Sequence, residues 1–442
     1  MMDSLKAELF SAFLPKGCDL LAYLRSEMVL ESGTAYLDFT ASGLAYREIE
    51  RRIAATLPYY ANTHSEVTRH ALLMGELYEL ARTHLKEALG LDENFALFPA
   101  GNGATGAVKK FQELLGIYLP PRTKKRLGSA FNASAFPLVI VGPYEHHSNE
   151  ISYRETPCEM VRLPLDSRGF FDLKALETEL KKHHGREIIG AFSFASNATG
   201  ILTPLKEISA LMREHGGILA LDMASASAYM NAPCELFDAA FYSPHKLLGG
   251  VGSCGVLAMR RELIDSSISP TFGGGGSITY VSRVDHYYRE DLETREDAGT
   301  PNVFALIRAA LAYRLRNEIG LEWIAKQKSE LCRWLLGALS EIDGVQIYGD
   351  RECSQKMGII ALNLEGISPY EVTKRLSHEY LIETRAGCNC AGPYGHDLLG
   401  LKDDGRFPTR PGWVRISIHY THTQEELERL VRALKEIATR GN

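Results

Sequence analysis

Residues 239–250 of the 442-residue chain read AAFYSPHKLLGG. The four apolar residues Ala239–Tyr242 predict a short buried strand, and Ser-Pro-His-Lys with two glycines close behind predicts the turn that ends it. Lys246 would therefore lie at the carboxyl end of a strand. An isolated lysine in such a place is usually a surface residue. If the fold shields it from water, desolvation lowers its pKa and makes the amine a nucleophile.

Similar short apolar runs occur on both sides of this stretch. Amphipathic helical patterns such as Leu205–Glu214 lie between several of them. This alternation predicts an α/β fold with a mainly parallel sheet and helices on both faces, whose ligands bind at the carboxyl ends of the strands. The strands predicted in this half of the chain are Pro137–Val141, Ile188–Phe194, Ile218–Leu221, Ala239–Tyr242 and Gly255–Met259.

Polar residues follow several of these strands, and each has two interpretations. Asp222 ends the run GGILALD, and its carboxylate could pair with a protonated pyridine nitrogen of a ligand or cap a following helix. Asn197 could contact a ligand or be an ordinary turn residue. His146 could stack on a planar ring or be a satisfied polar group. The loop Gly101–Gly106, GNGATG, precedes a helix and could hold a phosphate with its N–H groups and the Thr105 hydroxyl, although it matches no dinucleotide or P-loop signature.

The pattern changes after about residue 302. A connector helix is followed by a mixture of helices and strands that predicts a smaller α+β domain. In the last helix Thr423 and Glu426 form a capping box. We therefore divide the chain into an N-terminal segment (1–35), a large domain (36–302) and a connector with a small domain (303–442). The stretch Pro120–Ala135 is predicted to be an exposed loop. The elements predicted for the second half are helices Val303–Arg316, Glu322–Ile342 and Pro369–Glu379, and strands Met357–Leu364, Leu381–Thr384 and Trp413–Ile418.

Four motifs together resemble one family. They are YLDFTASG near residue 36, SPHKLLGG, DAGTPN at 297–302 and the Arg-Ala-Gly-Cys-Asn-Cys segment at 385–390. The chain resembles the fold-type I, class V aminotransferase superfamily, and within it the cysteine desulfurase and selenocysteine lyase group. The resemblance covers nearly the whole chain. It implies an enzyme that uses pyridoxal 5′-phosphate (PLP) and acts on an amino acid.

The resemblance also implies roles for individual residues. Lys246 would hold PLP as a Schiff base and shuttle the substrate proton. His146 would stack on the pyridine ring, Asp222 would pair with its nitrogen, and Asn197 would approach the ring hydroxyl. Arg415 would bind the substrate carboxylate, since its planar fork matches a carboxylate in a bidentate manner. The residues expected around the phosphate are Ala104, Thr105, Ser243 and His245.

Two further residues are expected near the entrance and the subunit boundary. Thr300 in GTPN would reach the phosphate of the neighbouring subunit, as in the dimers of the family, and closed dimers are the commonest oligomers. His64 lies in an early segment that the family places near the substrate entrance. We therefore expect a homodimer.

Cys390 stands where the desulfurase group places the cysteine that attacks the substrate sulfur and carries the persulfide. That role needs an exposed thiolate near positive charge, which Arg385 could help to supply. Cys388 adds a second thiol, and the following AGPYGHDLLGL departs from the desulfurase continuation. A structural loop remains an alternative. A metal site of Cys388, Cys390 and His396 has too few ligands for a closed zinc site, so no metal is expected.

The composition of the chain limits the kinds of partner and the functions that can be expected. A net charge of -6 favours neither nucleic acid nor an anionic membrane as a partner, and no apolar run is long enough to span a bilayer. The scattered cysteines indicate reduced thiols in the cytoplasm. We expect a cysteine desulfurase-like or C–S/C–Se lyase, with a sulfur-acceptor protein as a possible partner. The alternatives are transamination, epimerisation or sulfoxide cleavage without a cysteine relay, and a non-catalytic scaffold of the same fold.

Overall fold

The computed structural model describes residues 2–128, 133–351, 356–402 and 412–440. Its centre is a seven-stranded sheet in which six strands point the same way. Val256–Arg260 alone runs antiparallel to both of its neighbours. The predicted mainly parallel α/β sheet is therefore confirmed. From one edge to the other the strands are Phe95–Pro99, Val256–Arg260, Ala239–Tyr242, Ile218–Asp222, Ile188–Ser193, Leu138–Val141 and Glu159–Arg162.

The central strands are buried on both faces, which is why they read as continuous apolar runs. All six residues of Ile188–Ser193 are buried. One apolar core lies on each face of the sheet, and each is closed by helices. The helices of the described residues up to 302 are Met2–Leu9, Leu20–Glu27, Arg47–Thr56, Arg69–Leu89, Gly103–Leu114, Pro121–Leu127, His147–Arg154, Leu173–Lys182, Leu205–Glu214 and Leu292–Arg295.

The second half forms a smaller antiparallel sheet with its own apolar core. In order across that sheet the strands are Val345–Tyr348, Ile359–Leu364, Trp413–Ser417 and Arg385–Gly387. The helices of this half are Val303–Ile319, Leu321–Ser340, Pro369–Tyr380, Gly392–Leu399 and Gln424–Arg440. The Thr423 N–H donates to Glu426 (2.9 Å) and the Glu426 N–H donates to Thr423 Oγ1 (3.3 Å), which is the predicted capping box.

The N-terminal region contacts both halves. Leu9 and Phe13 pack in the core of the large domain, whereas Ala35 and Leu37 pack in the core of the small one. The two-residue strand Ala35–Tyr36 pairs in parallel with Ile382–Glu383. Two further small antiparallel pairs join Met28–Val29 to Ala45–Tyr46 and Ile278–Val281 to His286–Tyr288. The domain boundaries drawn at 35 and 302 stay a prediction.

Some expectations need correction. The prediction of a loop over Pro120–Ala135 is wrong for Pro121–Leu127, which is helical, and residues 129–132 lie outside the described residues. Cys332 takes part in a disulfide, contrary to the expectation that all the thiols are reduced. Among the described residues the free cysteines are Cys18, Cys158, Cys234, Cys254, Cys388 and Cys390. No helix within the described residues has the length and apolar character to cross a membrane.

Candidate active site

A cavity of about 200 Å³ lies at the carboxyl end of the central sheet, between the two halves of the chain. It gathers eleven of the residues singled out from the sequence. They are Ala104, Thr105, His146, Asn197, Asp222, Ser243, His245, Lys246, Arg385, Cys390 and Arg415. Residues more than 300 positions apart in the chain therefore share one space.

Lys246 enters this cavity from a tight turn. The turn Pro244–Lys246 is a single 3₁₀ turn that follows the strand Ala239–Tyr242 directly. The Gly43 N–H donates to the His245 carbonyl (2.7 Å), so the motif at 36–43 holds the turn in place. Burial lowers the pKa of Lys246 to about 8, although the Asp222 carboxylate opposes this shift. A substantial share of the amine is therefore neutral near physiological pH.

Asp222 ends the strand Ile218–Asp222, and Asn197 follows the neighbouring strand Ile188–Ser193; both line the cavity with this lysine. Asp222 is 4% exposed, and its Oδ1 accepts a hydrogen bond from the Ala224 N–H (2.8 Å). Burial raises the pKa of Asp222, while the Ala224 N–H and the Lys246 charge hold it down. Asn197 Nδ2 donates to the Asn389 carbonyl (2.6 Å), but its buried Oδ1 has no hydrogen-bond partner in the described part of the chain. That oxygen is free to meet a ligand.

His146 is held as a neutral ring. It precedes the helix His147–Arg154, and its Nδ1 accepts a hydrogen bond from the Ser148 N–H (3.1 Å). Burial lowers the pKa of His146 to about 3, and the nearby charge of Lys246 adds to the effect. A planar, uncharged imidazole therefore faces the cavity near neutral pH, and its flat face can stack on an aromatic ring.

The loop before the helix Gly103–Leu114 forms a cradle with the lysine turn. The Ala104 N–H donates to Ser243 Oγ (2.8 Å), and Thr105 Oγ1 bonds to Ser148 Oγ (2.6 Å). Gly103 has a φ of +57°, and a Cβ there would lie 2.6 Å from the His245 ring. Only glycine allows this approach. The first N–H groups of a helix and these hydroxyls together suit a bound anion.

Arg415 reaches the cavity from the small domain and is 2% exposed. Its Nη2 bonds to Asp38 Oδ1 (2.6 Å), and its Nη1 donates to the Asn197 carbonyl (3.1 Å). Its Nε has no partner among the described residues. Asp38 also lies 3.8 Å from Arg385, which lines the cavity. Asp38 therefore partly balances the charges of the two guanidinium groups.

The structure separates the two cysteines of the Cys-x-Cys segment. Cys390 lines the cavity, whereas Cys388 is absent from its lining and packs against the apolar core of the large domain. Cys390 is therefore the better placed thiol. In the described residues no group of three or more His, Cys, Asp or Glu side chains could hold a metal ion.

Two predicted residues lie elsewhere. His64 and Thr300 are exposed and outside the cavity lining. His64 Nε2 bonds to the Gly299 carbonyl (2.9 Å), and Asn62 Nδ2 donates to Thr300 Oγ1 (3.0 Å). The two residues are thus neighbours, but within one chain they do not contribute to the cavity.

Sequence reasoning did not single out several residues of the lining. They are Thr40, Ala41, Ala224, Ser225 and Asn389. Thr40 and Ala41 fall in YLDFTASG, and Asn389 lies between the two cysteines, so the motifs themselves were the available signal. Asp38, in the same motif, was missed as the partner of Arg415 because the two are far apart in sequence.

Comparisons with known proteins find similar sequences and a similar fold. A probable cysteine desulfurase of Pyrococcus abyssi is 27% identical over 421 residues, covering 94% of this chain and 96% of that protein. One of Methanothermobacter thermautotrophicus is 30% identical over 309 residues, covering 69% and 74%. The apo cysteine desulfurase of Thermococcus onnurineus NA1 superposes with a TM-score of 0.81 at 26% identity, over 97% of this chain and 99% of that one.

A solved structure with a lower sequence identity has the same fold. The cysteine desulfurase CsdA of Escherichia coli, in an S-sulfonic acid form, superposes with a TM-score of 0.75 at 23% identity, over 97% of this chain and 99% of that one. The aminotransferase class-V profile matches residues 130–430, more than half of the sequence. The resemblance inferred from the motifs is thus confirmed, and the chain belongs to the class-V aminotransferase family.

Proposed function

We propose that this protein is a PLP-dependent cysteine desulfurase that holds PLP on Lys246 as a Schiff base and passes sulfur to Cys390. The observation that carries the proposal is the shared cavity. It places an amine of lowered pKa (Lys246), a buried carboxylate (Asp222) and a neutral imidazole (His146) beside a thiol (Cys390) and a buried guanidinium (Arg415).

The residues present fit the cofactor. Asn197 Oδ1, which has no partner within the residues that the structure describes, offers an acceptor for a ring hydroxyl, and the cradle at Gly103 is shaped for an anion. When bound, PLP supplies an aldehyde that condenses with amines and a ring that withdraws electrons from the substrate α-carbon. Lys246 would hold it covalently, with Asp222 toward the ring nitrogen, His146 on the ring face and Asn197 toward the ring hydroxyl. The phosphate would be held by Ala104, Thr105, Ser243 and His245.

Lys246 also suits the proton transfers. A general base works best with a pKa near the operating pH, and burial brings the pKa of Lys246 to about 8. Once the substrate amine has displaced it, this amine can take the proton from the substrate α-carbon and later return one. His146 is uncharged near neutral pH, so it excludes water from the ring face without competing for that proton.

Arg415 would bind the carboxylate of the substrate, and Cys390 would receive its sulfur. Arg415 is buried and its Nε has no partner among the described residues, so it can bind an α-carboxylate while the bond from Nη2 to Asp38 keeps the side chain in place. The Cys390 thiolate then attacks the sulfur of the bound cysteine. A new S–S bond forms, the substrate C–S bond breaks, and the α-amino acid product is alanine after proton uptake. Cys390 is left carrying a persulfide, which a sulfur-acceptor protein would collect.

We also propose a homodimer. Thr300 lies on the surface with His64 and outside its own chain's cavity. A role for Thr300 in phosphate binding therefore requires a second subunit, and His64 would approach the substrate entrance from the same direction. A single dimeric species by light scattering supports this, and a fully active monomer would contradict it. A cytoplasmic location stays a prediction.

The cofactor and the reaction can be tested together. Purified protein supplied with PLP should show the absorbance of a lysine-bound cofactor, and borohydride should fix PLP on the peptide that contains Lys246. L-cysteine should then give alanine and sulfide in equal amounts under a thiol reductant. Failure to capture PLP, or a label on another lysine, would overturn the cofactor assignment. Capture without alanine formation would overturn the desulfurase assignment.

A further inference from the structure

The residue directly after His146 holds the segment that carries Cys390. The His147 N–H donates to the Cys390 carbonyl (2.8 Å), and the Gly392 N–H donates to His147 Nε2 (2.9 Å). His147 therefore forms one hydrogen bond to this segment on each side of Ala391. Because His147 begins the helix His147–Arg154, the two hydrogen bonds attach the thiol segment to the large domain.

The segment needs this support because of its backbone conformation. Asn389 has a φ of 53° and Cys390 a φ of 61°. Non-glycine residues adopt this left-handed region rarely, and two in succession persist only where the surroundings hold them. Asn389 has its own contacts, since its Nδ2 donates to the Gly387 carbonyl (2.8 Å) and its carbonyl accepts from Asn197. The backbone N–H of His147 is the corresponding contact for Cys390, and the His147 side chain holds the next part of the segment through the Gly392 N–H.

The backbone at Gly392 lies close against the imidazole of His147. A Cβ on Gly392 would lie 3.0 Å from His147 Nε2, closer than ordinary van der Waals contact. To accept a hydrogen bond, this nitrogen must carry no proton. Burial lowers the pKa of His147, which favours that state, and of its charged neighbours Glu150 opposes the shift while Arg154 adds to it. His147 itself does not line the cavity.

We propose that His147 is a positioning residue that keeps the Cys390 thiol directed at the substrate. This inference rests on the proposed function, because it assumes that Cys390 receives sulfur. His147 acts only through the Cys390–Gly392 segment. Its loss should therefore slow sulfur transfer and leave both the capture of PLP and the binding of cysteine unchanged.

The test compares His147→Leu with His147→Gln in the PLP-loaded enzyme. Leucine cannot accept a hydrogen bond, whereas the side-chain carbonyl of glutamine can reach the Gly392 N–H. Each enzyme is mixed rapidly with L-cysteine, and the persulfide on Cys390 is followed by mass spectrometry. The loss of one ordinary hydrogen bond predicts persulfide formation about fivefold to tenfold slower in His147→Leu, with recovery in His147→Gln. The cofactor absorbance and its change on adding cysteine should match the parent in both variants.

A third variant guards against misfolding. Gly392→Ala keeps the histidine but crowds its Nε2, so it should slow the same step with an intact cofactor spectrum. Three outcomes are distinct. No persulfide on Cys390 in the parent enzyme overturns the proposed function itself. Parent-like rates in His147→Leu and Gly392→Ala overturn the role of His147. Slow transfer in His147→Gln, as slow as in His147→Leu, shows that the acceptor nitrogen is not what matters and also overturns it.

Discussion

The rate at which the apoprotein captures PLP should report the pKa of Lys246. Burial lowers this pKa from 10.5 to about 8, against the opposing effect of Asp222. Only the neutral amine attacks an aldehyde, so capture follows the neutral fraction. At about pH 7.5 a pKa of 8 leaves about a quarter of the amine neutral, whereas a pKa of 10.5 leaves about one part in a thousand. On these values we expect the fold to raise the neutral fraction, and with it the rate of capture, by about two orders of magnitude.

The measurement is stopped-flow absorbance after mixing apoprotein with PLP between about pH 6 and about pH 10. The rate should rise about tenfold per pH unit at first and level off above about pH 8. A rate that still climbs tenfold per unit beyond about pH 9 would indicate an ordinary lysine and refute the reasoning. Lys246→Ala should capture no PLP in this form. Lys356→Ala is the matched control, because burial lowers the pKa of Lys356 to about 8 as well but Lys356 lies outside the cavity lining, so this variant should match the parent.

Three other perturbations follow from the structure. Arg415→Lys should raise KM for cysteine about tenfold with a smaller change in kcat, because a lysine cannot match a carboxylate in a bidentate manner; an unchanged KM in steady-state assays would exclude the assigned role. Gly43→Ala should lower the free energy of unfolding by about 2 kcal/mol or more in chemical denaturation, because a Cβ there would overlap the Leu247 carbonyl. Burial raises the pKa of Glu145 from 4.5 to about 7, so stability present below about pH 4.5 is lost as the pH rises through 7. Relative to Glu145→Gln, the parent should lose about 3 kcal/mol across that range, and parallel stability–pH curves would contradict this.

The residues that follow the strands could be predicted, because a parallel sheet brings the carboxyl ends of its strands to one edge. Each parallel strand reads as an apolar run, and its carboxyl end lies at the same edge as the others, so Asp222 and Lys246 converge without further information. His146 and Asn197 follow by the same rule. Their separate roles came only from the family resemblance, since each residue type also has a common structural use at a strand end.

The contributions of the small domain could not be predicted from local pattern. Asp38 meets Arg415 because the strand Ala35–Tyr36 pairs with Ile382–Glu383 at the edge of that domain. The choice between Cys388 and Cys390 depends on a left-handed backbone at residues 389 and 390, which no sequence period encodes. The hydrogen bond from the Gly392 N–H to His147 Nε2 joins residues 245 positions apart, and the sequence of two adjacent histidines does not predict it.

The identity of the sulfur-accepting thiol is the most direct test of the account. Cys390 lines the cavity and Cys388 packs against the core, so the two single alanine variants should behave differently. Cys390→Ala should keep the PLP spectrum and its change on adding L-cysteine, yet release no sulfide or alanine, whereas Cys388→Ala should retain both activities. Sulfide release that survives in Cys390→Ala, or that persists in the double variant, would contradict a relay through Cys390.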